Sequence, residues 1–242
     1  MDGASKPRVL GVVPARYAST RFPGKIIASL AGKPLVLHAY DRAKRANLLD
    51  DVLIAADDER VREAIAPFGA RVVMTKPEHP TGTDRIAEAI ADEPADIVVN
   101  IQGDEALIDP ETIDAAIRPL LEQPEVVMAT ARRRITDPAL VSNPNIVKVI
   151  CDQRGRAIYF SRSVIPYIRD EADRGAAAEC YWQHIGLYVY RREFLLRFAQ
   201  LPQTPLERLE KLEQLRAVEH GFAIAVIDTE YDGRGVDVPE DL

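Results

Sequence analysis

The sequence is short of cysteine, of long apolar runs and of paired metal-binding histidines. Its 242 residues include 2 cysteines, Cys151 and Cys180, and so few are typical of reduced thiols in a cytosolic protein. No run approaches the roughly 18 apolar residues that a membrane span needs, and the polar segment Met1–Arg8 does not resemble a signal peptide. The 4 histidines contain no H-E-x-x-H pattern, so a zinc site has little support. We therefore expect a cytoplasmic protein that does not contact a membrane.

Acidic residues are missing from the beginning of the chain. The net charge of −7 argues against a general binder of nucleic acid or of membrane surfaces. Between Gly3 and Tyr40 there is nevertheless no Asp or Glu, and the cations there are Lys6, Arg8, Arg16, Arg21, Lys25 and Lys33. The last residues, from Asp228 to Leu242, have the opposite bias, with six acids and one arginine. This segregation is consistent with a small polyanion bound near the first elements, or with chance and solvated lysines.

Short apolar strands alternate with amphipathic helices in the first half of the chain. The predicted strands there are residues 9–14, 51–56, 71–74 and 97–101. The predicted helices there are residues 35–46, 59–68, 84–91 and 110–121. Beyond about residue 126 the predicted elements are strands at 126–132, 146–151, 156–160, 183–190 and 223–228 and a helix at 205–220. The pattern predicts an α/β protein with a mainly parallel sheet, helices on both faces and a smaller mixed region.

The predicted helix at 205–220 carries leucines at every third position. They are Leu206, Leu209, Leu212 and Leu215. At about 100° per residue these side chains do not form a single stripe. The spacing therefore indicates burial on more than one side, as at a subunit interface, or a local strip of apolar cover.

A basic loop, residues 15–25, follows the first predicted strand. Ligands of open α/β sheets bind beyond the carboxyl ends of the strands, where this loop is expected. With its two arginines, Lys25, two hydroxyls and Gly24, it can surround a triphosphate with backbone N–H groups and cations. It is not a Walker A loop, because Ser19 stands where the first glycine would be and Ile26 follows the lysine. The alternative is a basic surface loop without a ligand.

Two carboxylates stand in places that suit a cation. Asp104 follows the strand predicted at 97–101 and is preceded by Gly103, while Asp237 lies in the acidic segment near the end of the chain. If they converge, they can hold Mg²⁺ against substrate phosphates. For Asp104 the alternative is a helix-capping or turn aspartate.

Two further motifs have less specific signals. Thr81–Arg85 has the form of a turn into a helix, whose hydroxyls and backbone read a base edge or simply cap the helix. His184, Gly186 and Tyr188 share one face of a predicted strand. A lone histidine in such a place is more often structural than functional.

Eight motifs carry a resemblance to a known family. In order they are P-A-R-Y-A-S-T-R-F-P-G-K, T-G-T-D-R, N-I-Q-G-D-E, N-P-N-I-V-K-V, Y-F-S-R-S-V-I-P, H-I-G-L-Y, P-L-E-R-L-E-K-L-E-Q-L-R and G-V-D-V-P-E-D-L. From Val9 to the last residue the chain resembles the 3-deoxy-manno-octulosonate (Kdo) cytidylyltransferases. The resemblance implies a Rossmann-like α/β nucleotidyltransferase fold in one domain. Its nucleotide-binding part is about residues 8–125, its sugar-binding and dimerisation part about 126–222, and residues 223–242 return to the nucleotide and metal site.

The resemblance also implies an activity and the residues that perform it. The reaction is CTP + Kdo giving CMP-Kdo and diphosphate for lipopolysaccharide biosynthesis, in a homodimer that uses Mg²⁺. The implied catalytic residues are Arg16, Lys25, Asp104 and Asp237, the two aspartates being the metal ligands. The implied nucleotide-binding residues are Ala15, Arg16, Arg21, Lys25, Thr81, Gly82 and Gln102. The implied sugar-binding residues are Arg85, Arg162, His184, Tyr188, Glu213 and Gln214.

The chemistry implied is in-line attack by the anomeric hydroxyl of Kdo on the α-phosphorus of CTP. Two alternatives stay open at this point. One is the same reaction with another acid sugar, such as 8-amino-Kdo or a sialic acid. The other is a non-catalytic sensor of nucleotide sugars on the same fold.

Overall fold

The structure, a computed structural model, describes residues 6–18, 22–173, 175 and 179–242. Arg21, expected to bind the nucleotide, lies outside these residues. The described strands are β1 (Val9–Ala15), β2 (Ser29–Leu30), β3 (Lys33–Pro34), β4 (Asp51–Ala56), β5 (Val72–Met74), β6 (Ile97–Asn100), β7 (Met128–Arg134), β8 (Lys148–Cys151), β9 (Ala157–Ser161), β10 (Trp182–Arg191) and β11 (Ile224–Asp228). The described helices longer than a single 3₁₀ turn are α1 (Leu35–Ala43), α2 (Glu59–Ile65), α3 (Gly82–Ala89), α4 (Pro110–Glu122), α5 (Pro138–Val141), α6 (Arg192–Gln200), α7 (Pro205–Glu210) and α8 (Gln214–Glu219). In the part of the chain described here, none of the helices combines the length and the apolarity needed to cross a bilayer.

The main sheet has nine strands, seven of which run in the order β11-β7-β10-β6-β1-β4-β5. Strand β1 is parallel to β4 and β6, β4 is parallel to β5, and β11 is parallel to β7. Strand β10 is antiparallel to both of its neighbours, β6 and β7. Strands β8 and β9 extend the sheet beside β10 in antiparallel fashion. The prediction of a mainly parallel sheet with a mixed region is confirmed.

The core lies in two layers, one on each face of the sheet. Side chains alternate between the faces along a strand, so Val9 and Val13 of β1 pack on one side while Leu10 and Val12 pack on the other. The first layer includes buried residues of α1, α2 and α4, and the second includes buried residues of α3, α6 and α8. The helices therefore cover both faces, as the alternation of elements predicts.

The prediction of one continuous helix at 205–220 is wrong. Lys211 adopts a left-handed backbone with φ of 54°, which ends α7 before α8 begins. Leu212 and Leu215 belong to the core, whereas Leu209 is 81% exposed. The leucine repeat thus spans two short helices separated by a break, and this break accounts for a spacing that no single helical stripe could use.

Candidate active site

The basic loop leaves the sheet at the carboxyl end of β1. Ala15 is fully buried as the last residue of that strand, and Arg16 directly after it is exposed. The backbone N–H of Gly24 donates to the carbonyl of Tyr17 at 3.2 Å, so the two limbs of the loop are joined. Gly24 has φ of 70°, a conformation that glycine adopts without strain, and it leads into the 3₁₀ turn that begins at Lys25. The loop thus returns Lys25 towards the end of β1.

Lys25, Asp104 and Asp237 form the charged cluster. The Lys25 Nζ lies 2.6 Å from Asp104 Oδ2 and 3.6 Å from Asp237 Oδ1. The Lys25 side chain is 13% exposed, against 30% for Asp104 and 52% for Asp237. The N–H of Val236 donates to the backbone carbonyl of Asp104 at 3.0 Å and holds the C-terminal segment beside it. Two carboxylates that are distant in sequence therefore meet at one cation.

The donor set of the charged cluster suits a hard divalent cation. Among the described residues no group of three or more His, Cys, Asp or Glu side chains could hold a metal ion by itself. The protein thus offers two carboxylates at a point where an ammonium group already lies within ion-pair distance of both. An ion bound by one or two carboxylates completes its shell with water and with substrate phosphate oxygens, which is the usual arrangement for magnesium.

The turn after β6 packs closely against the end of β1 at Gly103. A Cβ on Gly103 would lie 2.9 Å from the carbonyl oxygen of Pro14 and 2.8 Å from Ile26 Cδ1, so a larger residue does not fit there. This packing places the turn against the end of β1, beside the basic loop. Gln102 Nε2 donates to the carbonyl of Gly186 at 3.1 Å, which ties the same turn to β10.

Glu105 is a buried carboxyl that the sequence analysis missed. It accepts a hydrogen bond of 3.0 Å from the hydroxyl of Tyr231. Burial, above all, raises the pKa of Glu105 to about 7, and the nearby charge of Asp104 adds to this. Its position directly after Asp104 in N-I-Q-G-D-E was a signal, but only the fold reveals that the side chain is enclosed.

The beginning of α3 also lies against β1. Thr81 caps the helix, its hydroxyl oxygen accepting from the N–H of Asp84 at 3.2 Å. A Cβ on Gly82 would lie 3.6 Å from Pro14 Cγ, an ordinary contact that places this residue beside the end of the strand. The hydroxyl of Thr83 donates to Glu213 Oε2 and connects α3 to the start of α8.

Arg85 is buried in the wall of the nucleotide-binding part. Its Nη2 lies 3.0 Å from Asp57 Oδ2, and its Nη1 donates to Thr75 Oγ1 at 2.7 Å and to the carbonyl of Lys76 at 3.3 Å. Burial is the largest cause of a lowered pKa for this guanidinium. Its assignment to the sugar pocket stays a prediction, since the partners that the structure gives it come from β4 and from the segment after β5.

Thr130, His184, Tyr188 and Gln214 form the neutral cluster. Thr130 Oγ1 and His184 Nε2 are 3.0 Å apart, and the Tyr188 hydroxyl donates to Gln214 Oε1 at 3.0 Å. The ring of Phe160 meets the His184 imidazole edge-on at 5.0 Å between centroids. Burial lowers the pKa of His184 to about 3 and raises the pKa of Tyr188, so both side chains are uncharged near pH 7.

Among the described residues, two buried polar atoms lack a hydrogen bond: Gln214 Nε2, which belongs to the neutral cluster, and Glu213 Oε1 beside it. Burial raises the pKa of Glu213, and its carboxylate lies 3.7 Å from Arg216 Nη2. Since buried polar groups nearly always form hydrogen bonds in native proteins, these two atoms on consecutive residues are candidates for binding a ligand.

Arg162 lies at the edge of the second part of the chain. Its Nε donates to the carbonyl of Glu210 at 2.7 Å, and its Nη1 donates to the carbonyl of Pro144 at 3.0 Å. Its role in sugar binding also stays a prediction.

The chain is similar to known proteins over nearly its whole length. A family model described as "Cytidylyltransferase" matches residues 10–226. The chain is 54% identical over 235 residues to the 3-deoxy-manno-octulosonate cytidylyltransferase of Solibacter usitatus (strain Ellin6076), covering 97% of this chain and 92% of that protein. It is 51% identical over 242 residues to the protein of the same name from Geobacter metallireducens (strain ATCC 53774 / DSM 7210 / GS-15), covering 97% and 95%.

A solved structure of CMP:2-keto-3-deoxy-manno-octonic acid synthetase complexed with CTP superimposes on this fold with a TM-score of 0.90. It is 39% identical in sequence and covers 96% of this chain and 94% of that one. The fold and these relatives define a nucleotidyltransferase. More narrowly, the chain belongs to the cytidylyltransferase family.

Proposed function

We propose that this chain transfers the cytidylyl group of CTP to Kdo, giving CMP-Kdo and diphosphate for lipopolysaccharide synthesis. The observation that carries the proposal is the charged cluster beside the basic loop, where a lysine and two carboxylates meet at the carboxyl ends of β1 and β6. The names of the relatives supply the two substrates.

CTP binds between the basic loop and the beginning of α3. The backbone at Ala15, the guanidinium of Arg16 and the ammonium of Lys25 neutralise the triphosphate. Arg21 belongs to the same set. Thr81, Gly82 and Gln102 line the opposite side and contact the cytidine. Positioning and charge stabilisation account for most of the catalysis in phosphoryl transfer, so this cradle is central to the rate.

Asp104 and Asp237 hold Mg²⁺. When bound, the ion supplies positive charge against the phosphate and lowers the pKa of a hydroxyl that contacts it. Lys25 lies within reach of both carboxylates, and it also neutralises the negative charge that develops on the departing diphosphate.

Kdo binds at the neutral cluster. Gln214 Nε2 and Glu213 Oε1 have unfilled hydrogen-bonding capacity and take sugar hydroxyls. His184 and Tyr188, both uncharged, orient the sugar by hydrogen bonds and contact, not by charge. Arg162 supplies the cation for the Kdo carboxylate. The sugar-binding part, about residues 126–222, also forms the homodimer that the family resemblance implies.

The test is diphosphate release from CTP and Mg²⁺ with a panel of acid sugars: Kdo, 8-amino-Kdo and a sialic acid. We expect Kdo to give the largest kcat/KM and no release without sugar. If another sugar gives a larger kcat/KM, that sugar is the substrate in place of Kdo, and the proposal of cytidylyl transfer still holds. If calorimetry shows that CTP and Kdo bind but no diphosphate is released, the proposed enzymatic activity is wrong and the protein is a sensor.

A further inference from the structure

A buried ion pair joins the end of β4 to α3. Arg85 Nη2 lies 3.0 Å from Asp57 Oδ2, and the two side chains are 2% and 4% exposed. Enclosing two charges is costly unless their remaining hydrogen-bonding capacity is filled. Arg85 fills its own with Thr75 and the carbonyl of Lys76. The partner of the second Asp57 oxygen therefore shows what else this ion pair holds in place.

The second oxygen of Asp57 reaches the basic loop. Its Oδ1 accepts the backbone N–H of Tyr17 at 2.9 Å. Tyr17 is also the residue whose carbonyl accepts from Gly24, so it joins both limbs of the loop at the base. Asp57 thus contacts the loop at the residue that also binds Gly24, the neighbour of Lys25.

Arg85 reaches the opposite wall of the nucleotide site. It lies in α3, whose first residue, Gly82, stands beside Pro14 at the end of β1. The chain of contacts therefore runs from Tyr17 through Asp57 to Arg85. One buried strut connects the basic loop with the helix that faces it.

We propose that the side chain of Asp57 is a positioning device: its Oδ1 fixes the backbone of Tyr17, and with it the basic loop, at a set distance from the beginning of α3, while pairing with Arg85 allows the carboxylate to be buried. Asp57 acts through Tyr17, so it is a positioning residue for CTP binding. The inference rests on the proposed function of the basic loop. Displacement of a binding group by about 1 Å can cost on the order of 10²-fold in rate. A rigid connection between the basic loop and α3 therefore favours correct placement of CTP.

The chain offers a matched pair for comparison. Arg216 Nη2 lies 2.6 Å from Glu207 Oε1, with side chains 8% and 4% exposed. This pair joins α8 to α7, the helix before it in the chain. It has the same chemistry and burial as the Asp57–Arg85 pair, but its contacts are with Thr204, Gln203, Phe198 and Glu213 and not with the basic loop.

The test compares two double variants that both remove the buried charges. Asp57→Asn with Arg85→Met keeps an oxygen that accepts from Tyr17, whereas Asp57→Ala with Arg85→Met removes it. We expect the Ala variant to bind CTP on the order of ten- to a hundredfold more weakly, and the Asn variant to bind it nearly as wild type does. Calorimetric titration with CTP and Mg²⁺ measures this, and amide hydrogen exchange at Tyr17 gives a readout independent of ligand.

The controls separate positioning from general stability. Glu207→Gln weakens the matched ion pair, so we expect a lower melting temperature with unchanged affinity for CTP and unchanged exchange at Tyr17. If the Ala variant does not fold, Asp57→Ser with Arg85→Met replaces it, since the serine hydroxyl is too short to span the same gap.

The outcomes are distinct. Equal CTP affinity and equal Tyr17 protection in the Asn and Ala variants overturn the proposal, whether both are weak or both are strong. If wild type itself does not bind CTP, the proposed function fails. The exchange at Tyr17 then still decides whether the strut holds the loop.

Discussion

The charged cluster and the neutral cluster are two differently built regions at the same end of the sheet. Tyr188 of β10 pairs with Asn100, the last residue of β6, and Asp104 follows a few residues later. In the charged cluster an ammonium group lies within ion-pair distance of two carboxylates, and the carboxylates remain partly exposed. In the neutral cluster burial moves the pKa of each titratable group towards its uncharged form.

The difference follows from the cost of desolvation. Full burial of an unpaired charge is expensive, so groups that must stay charged for a triphosphate keep contact with water or with each other. Hydroxyl groups of a sugar need partners that are fixed and neutral, and a buried amide or phenol supplies them without that cost. One site can thus hold a highly charged substrate and a polyhydroxylated one in adjacent regions.

Asp104→Asn breaks the charged cluster and has the largest expected effect. We expect kcat for diphosphate release to fall by on the order of 10³-fold, as in other phosphoryl transfers that lose one charged group. The fold is retained, because Val236 donates to the backbone carbonyl at position 104, which asparagine keeps. Steady-state kinetics over a range of Mg²⁺ concentrations measure the loss.

The matched control is Asp41→Asn. Asp41 lies in α1 and also pairs with a lysine, Lys33, but at the surface. We expect unchanged kinetics there. Comparable turnover in Asp104→Asn and Asp41→Asn would contradict the role of the charged cluster.

Tyr188→Phe tests the neutral cluster and has the second largest expected effect. It removes the hydroxyl that donates to Gln214 Oε1, and the amide is left without that partner in a buried place. The hydroxyl no longer holds the Gln214 amide in place for the sugar. A loss of about 1.4 kcal/mol of binding free energy, within the range of one buried hydrogen bond, raises KM for Kdo roughly tenfold. KM for CTP is expected to stay constant, since the neutral cluster does not contact the triphosphate in this proposal.

Tyr40→Phe is the control for loss of a tyrosine hydroxyl. Tyr40 lies in α1 and accepts from the N–H of Arg71, away from β10. We expect both KM values to stay at the wild-type level. An equal rise of the two KM values in Tyr188→Phe would show that the neutral cluster is not specific to the sugar.

The sequence predicted the sheet better than the helices of the second part. Strand β4 lies at residues 51–56 as predicted, because a short apolar run bounded by charged residues is too short for a helix and is typical of a buried strand. Helix α6 was missed, since Arg192 continues the chain from β10 without a glycine or proline between them. The break at Lys211 was also missed, because a left-handed lysine has no signature in the sequence.

The candidate site, too, could be predicted only in part from the sequence. Lys25 and Asp104 could be selected from local motifs, because each follows a strand. The hydroxyl of Thr83 and the carboxylate of Glu213 are 130 positions apart, and Asp57 meets the N–H of Tyr17 across 40 positions. Such pairs depend on how the elements pack, and no local pattern records them.

His184→Phe has the smallest expected effect and concerns stability. The pKa of His184 is lowered from 6.5 to about 3 in the folded protein. The unfolded chain therefore binds this proton more readily, and the stability that the neutral imidazole contributes is present above pH 6.5 and is lost as the pH falls towards 3. Between pH 7.5 and 5.5 the wild type should lose at most about 1.4 kcal/mol of unfolding free energy through this group.

Phenylalanine cannot take up this proton, and it retains the ring packing against Phe160. Thr130 also keeps its hydrogen bonds to the carbonyls of Ile185 and Leu187. Urea unfolding at pH 7.5 and 5.5 should therefore give His184→Phe a smaller loss than wild type. The exposed His220 serves as the control, because His220→Gln should leave the loss as it is. A wild-type loss undiminished in His184→Phe would mean that the imidazole takes up a proton in the folded protein, and that the neutral cluster accommodates a charge.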